Sequence, residues 1–141
     1  MIYLLSHNDK KLTNQINLLV GKPFSLRQRW LMNGIGSGGR QVIDGDARLL
    51  GCLPGDGSIR KCNIELRPAG IVVGFHKGLE TYAWVVPYYM LTIYGQQDML
   101  SLYAGPHRLQ LAWPMNIRSN QRFLDKLMKL RAESIEAARL P

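Results

Sequence analysis

The chain has 141 residues, 46% apolar and 20% charged, the size and balance of one globular domain rather than of a disordered chain. Eighteen basic against ten acidic residues leave a net charge of +8, which directs attention to anionic partners. No apolar run approaches the roughly 20 residues needed to cross a bilayer, and no heptad or longer period recurs, which excludes membrane-spanning helices, coiled coils and repeat arrays.

The opening Met1-Ile2-Tyr3-Leu4-Leu5 lacks the basic start of a secretory signal, so a cytoplasmic protein is expected. In that compartment Cys52 and Cys62 read as reduced packing residues, and two cysteines without a nearby histidine are too few for zinc. No metal and no cofactor is expected.

The domain reading separates residues 1–23, a segment carrying one short helix, from a single β domain over 24–141. Leu12, Ile16 and Leu19 stand at helical spacing before the stop Gly21 and Pro23. Phe24, Leu26, Trp30 and Met32 then alternate with Ser25, Arg27 and Arg29, which predicts a half-buried strand with a basic outer face. Asn33 to Gly39 reads as a flexible hairpin turn. Further strands are predicted over Val42–Leu53, Ile59–Leu66, Ile71–Phe75 and Glu80–Val86, with Pro87 as a bend or an edge marker. Leu91–Tyr94 is extended, and Met99–Tyr103 with Leu109–Trp113 forms a hairpin around Gly105-Pro106. Residues 117–138 form an amphipathic helix with Ser119 or Asn120 as N-cap. Phe123, Leu124, Leu127, Met128, Leu130 and Ile135 line its apolar face. Asp125–Lys129 and Lys129–Glu133 are spaced to pair on its solvent side. The fold class is therefore mainly β, an antiparallel seven- to eight-strand sandwich or open barrel capped by a C-terminal helix, with a short N-terminal helix.

Patterns that resemble active sites are weak. Gly34-Ile35-Gly36-Ser37-Gly38-Gly39 satisfies G-x-G-x-x-G, yet a strand follows it where a dinucleotide site needs a helix N-terminus. His7, His76 and His107 lie in separate segments without metal spacing. Asp44 and Asp46 flank Gly45, which is more often turn chemistry than a carboxylate pair. A catalyst is the minority reading.

The binding candidates are two. Lys22, Arg27, Arg29 and Arg40 lie in an acid-free stretch and form a candidate anion or partner site on the first hairpin, with Phe24 and Trp30 assigned to the core. Exposed aromatics among those charges would favour nucleic acid. Tyr82, Trp84 and Tyr88 mark the second candidate. Trp84-Val85-Val86-Pro87-Tyr88-Tyr89 is apolar on both faces, so one face is free to meet a partner or a second copy of the chain if the strand lies at an edge.

Val85-Val86-Pro87-Tyr88, then Leu91-Thr92-Ile93-Tyr94, then Leu100-Ser101-Leu102-Tyr103, followed by one helix, resembles the rhythm of bacterial pleckstrin-homology-like domains over about residues 40–136. The resemblance implies a rigid, non-catalytic scaffold for a peptide, a protein or an anionic lipid. It does not carry a full lysine/arginine lipid signature. A small nucleic-acid-binding barrel is the alternative.

Overall fold

Short runs of β-branched and aromatic residues separated by turn residues build most of the molecule. The computed structural model describes residues 1–5 and 9–139, so His7 lies outside the described residues. Strands β1 (Ile2–Leu5), β2 (Arg40–Gly45), β3 (Lys61–Leu66), β4 (Gly70–Lys77), β5 (Glu80–Pro87), β6 (Thr92–Gln96), β7 (Met99–Ala104) and β8 (His107–Ala112) form one open antiparallel sheet of eight strands, in the order β1-β5-β4-β3-β2-β8-β7-β6. Helices are α1 (Lys10–Val20), α2 (Leu26–Leu31), α3 (Ala47–Leu50) and α4 (Arg118–Arg139). The predicted fold class is the observed one: mainly β, with a C-terminal helix and a short N-terminal helix.

Period-two burial explains the sheet. Ile64, Leu66, Ile71, Val73, Phe75, Trp84 and Val86 point to one side and join Leu100, Leu102, Leu109, Leu111 and Trp113 in the main core. Tight hairpins keep these strands in register. Gly78 and Gly105 turn β4 into β5 and β7 into β8 with φ of 61° and 57°, a region open to glycine at little cost. Strand β2 joins the two halves of the sheet. It pairs with β3 at Arg40 and Gln41, and with β8 from Val42 to Gly45, with a bulge between Val42 and Asp44. That bulge bends the strand from one half into the other.

Four expectations need correction. Residues 26–31 are a helix, not a strand. Ser25 and Gln28 form a reciprocal capping box, and the two bonds satisfy donors that an alternating strand would have given to a neighbour. The predicted strand Val42–Leu53 stops at Gly45, because the Asp46 carboxylate accepts from the backbone N–H of Arg48 and Leu49 and starts α3. The glycine-rich segment is not a loose hairpin turn. Ser37 N–H donates to Ile64 O at 2.9 Å, its hydroxyl accepts from Ile64 N–H at 2.9 Å, and Leu66 N–H donates to Ile35 O at 2.8 Å. Finally, residues 1–23 belong to the domain, since β1 pairs along β5 from Ile2↔Trp84 to Leu5↔Thr81.

The last pairing changes the meaning of the apolar strand β5. It lies between β1 and β4, so it is not an edge. Its second face is covered by α1, where Ile16 and Val20 bury Ala83 and Val85. Trp84 and Tyr88 are fully buried, and Tyr82 packs half-buried against the core while its hydroxyl donates to Glu80. The second candidate site of the sequence reading is therefore interior packing.

Helix α4 docks through Phe123 and Leu127, with the Phe123 ring 5.4 Å from that of Trp113. Ser119 and Asn120 lie inside the helix instead of capping it. Asn120 is buried and donates to Pro114 O at 2.9 Å, while its own carbonyl accepts from Trp113 Nε1 at 3.3 Å. Arg131 Nε ties the helix to Leu91 O at 3.2 Å. Met128 is 47% exposed, so the buried stripe is narrower than predicted. The ion pairs among the described residues are Glu65–Arg67 and Asp44–Arg108, with a further Asp46–His107 hydrogen bond; neither of the pairs expected around Lys129 is formed.

One close approach yields a sharp test. A Cβ on Gly70 would collide with the Val20 side chain and the Val86 carbonyl, and would lie 2.9 Å from Pro87 Cα. Backbone atoms cannot yield as a flexible side-chain end would, so Gly70→Ala should cost about 3 kcal/mol, the upper end for overpacking. Gly36→Ala meets nothing within 4 Å and should be close to neutral. Urea midpoints of the two variants check the contrast; equal midpoints would refute it.

Candidate binding groove between α2 and α4

An open groove of about 810 Å³ lies between α2, the glycine-rich segment and α4. Its apolar floor comes from Phe24, Leu31, Met32, Phe123 and Leu130. Lining residues on α4 run from Ser119 to Glu133, a rise of about 21 Å at roughly 1.5 Å per residue. Arg122, Lys126 and Lys129 stand along it at i, i+4 and i+7, one helix face, with Asp125 and Glu133 also on the lining.

Two of the groove cations are already engaged. Lys126 Nζ donates to the carbonyls of Met32, Asn33 and Gly34 at 3.3, 3.4 and 2.9 Å. There it satisfies acceptors left over at the end of α2, where Asn33 and Gly34 have φ of 58° and 91°. Burial lowers its ammonium pKa. Arg40 lies with its guanidinium carbon 4.0 Å from the centre of the Trp113 ring and donates from Nε to Ser37 O at 3.0 Å. Arg122 and Lys129 are exposed.

The structure does not gather the four predicted cations into one patch. On a helix Arg27 and Arg29 are about 200° apart, whereas the strand reading put them side by side. Arg27 is exposed. Arg29 turns back, donating from Nε to Phe24 O at 3.0 Å. Lys22 is exposed after α1, and Arg40 alone of the four lines the groove. Trp30, assigned to the core, is 78% exposed. Of the groove cations on α4, only Lys129 was read, as a solvent-side pairing residue; Arg122 and Lys126 were given no role, although the i, i+4, i+7 spacing of the three was present.

The remaining reactive groups serve the fold. Asp46 accepts from His107 Nδ1 at 3.0 Å and from Arg108 N–H at 2.9 Å besides capping α3. Burial pushes this carboxyl upward, but those hydrogen bonds outweigh it and hold the pKa below the usual value. Asp44 pairs with Arg108 at 3.2 Å. His76 is exposed and meets Thr81 Oγ1. Cys52 and Cys62 are free and buried, and burial pushes the Cys62 thiol up to about 12, far from a reactive thiolate. Among the described residues no three His, Cys, Asp or Glu gather as metal ligands, and no helix is long and apolar enough to cross a membrane. Comparison with protein-family models, curated proteins and solved structures finds no match to this chain.

Proposed function

We propose that the protein is a non-catalytic binding domain of pleckstrin-homology-like type, whose groove between α2 and α4 receives an acidic, amphipathic segment of a partner protein. The shape of the groove carries this reading. It is open and long, about 21 Å along α4, whereas small-molecule sites enclose most of their ligand. That length matches a helical segment of about 14 residues. Its apolar floor suits one face of such a helix, and exposed Arg122 and Lys129 suit acidic residues at its flank. The scaffold reading is supported by the meander β2 to β5, the second meander β6 to β8 and the closing α4. The two free cysteines fit a cytoplasmic home.

The test is titration with a synthetic helical peptide of about 14 residues bearing leucine on one face and glutamate beside it, followed by NMR. Shifts should concentrate on Phe24, Met32 and Leu130. Arg122→Glu with Lys129→Glu should weaken binding about tenfold, since each exposed charge contributes under about 1 kcal/mol. Absence of shifts at the groove, or equal affinity of the double variant, would remove the proposal.

A further inference from the structure

Helix α2 carries three exposed apolar side chains, of which only Leu31 also lines the groove. Leu26 is 82%, Trp30 78% and Leu31 63% exposed. Leu26 and Trp30 are i, i+4 neighbours and Leu31 adjoins them, so the three form one ridge with Arg27 beside it. Exposure this high means side chains that stand out from the surface, not a flat patch left uncovered. Large apolar side chains so exposed and so close together normally mark an interaction site.

We propose that this ridge seats the protein on an anionic lipid surface, with Trp30 and its two leucines entering the headgroup boundary. The charge around it is complementary. No carboxylate occurs between residues 10 and 43, while Arg27 on α2 and Lys22, four residues before it begins, are exposed cations. Asp125 and Glu133 face α2 across the groove. Tryptophan favours the membrane–water interface, and basic residues beside it gain from anionic headgroups. A protruding ridge also suits a fluid that closes around it, where a rigid partner would need a matching pocket. Single-stranded nucleic acid fits less well. It calls for several stacking aromatics along a charged groove, and Leu26 and Leu31 give bases no stacking surface. Leu31 is the one ridge residue shared with the groove, while Leu26, Arg27 and Trp30 lie outside its lining.

Trp30 is the one exposed tryptophan of three, Trp84 and Trp113 being fully buried, so intrinsic fluorescence reports on the ridge. The full chain is mixed with vesicles of phosphatidylcholine alone, and of phosphatidylcholine with phosphatidylglycerol. Anionic vesicles should move the emission to shorter wavelength, and brominated acyl chains should quench it; neutral vesicles should do much less. Trp30→Ala should remove the response and lower co-sedimentation about tenfold, and Arg27→Glu should lower it by a similar factor, each with unchanged thermal stability. Arg122→Glu with Lys129→Glu should bind vesicles within about threefold of wild type, because both residues stand on α4 across the groove from the ridge and exposed charges at that remove are screened by salt. Unchanged emission with anionic vesicles would overturn the proposal. So would quenching by a single-stranded oligonucleotide in their place, or burial of Trp30 by self-association alone.

Discussion

Leu127→Asp should unfold the domain at room temperature or lower its melting temperature by about 15 °C or more, given about 2–4 °C per kcal/mol for a chain approaching this size. Leu127 is fully buried on α4. Losing its side chain costs about 2–5 kcal/mol by itself, and the carboxylate that replaces it has no partner in the core, which adds to the penalty. Together these approach the whole stability of an ordinary domain, about 5–15 kcal/mol. Met128 is the control on the same helix. At 47% exposure its change to Asp should cost under about 1 kcal/mol. Thermal melts of both variants decide the matter, and a Leu127→Asp melt near wild type would show that α4 is not held by the core.

Arg67→Ala should cost about 3–5 kcal/mol, as expected when one member of a buried ionic network is removed. The Arg67 side chain is 11% exposed. Its Nε donates to Glu65 at 2.6 Å, and one terminal nitrogen donates to Asn17 Oδ1 at 3.0 Å and to Gly21 O at 2.9 Å. One guanidinium thus fastens the end of α1 to β3. Its backbone carbonyl in turn accepts from the Tyr88 hydroxyl at 2.8 Å. Arg67→Lys keeps the charge but loses the planar fork, so it should fall between wild type and Ala. Hydrogen exchange would show where the loss falls: amides of α1 should open before those of β4 and β5. Uniform loss of protection across the chain would contradict this local role.

The meander from β3 to β8 was legible because its signals are local. Alternating β-branched residues, Gly78 and Gly105 sit within a few positions of the bonds they determine. Helix α2 was also marked, by Ser25 and Gln28 at capping-box spacing, but the alternation of Phe24, Leu26, Trp30 and Met32 outweighed that signal. The error carried a functional cost, since it sent Trp30 inward and set Arg27 beside Arg29. The edge assignment failed for a different reason. Whether β5 is an edge depends on β1, some 80 residues away, and no local pattern in Glu80–Pro87 encodes that partner. Groove residues on α4 were equally hidden, because their meaning depends on α2 lying opposite.

The divided pairing of β2 bears on the order in which the molecule assembles. The meander β3 to β5 and the meander β6 to β8 each close through short loops, at small entropic cost. The seam from Val42 to Leu111 joins segments separated by half the chain, a separation exceeded among the strand pairs by that of β1 from β5, so it bears a large loop-closure penalty and slows folding in the manner of any non-local strand pairing. Until it closes, the inner faces of both meanders remain wet. Residues 40–45 are therefore the place where two independently zippered sheets become one cooperative unit, and where a slow step in refolding would be read.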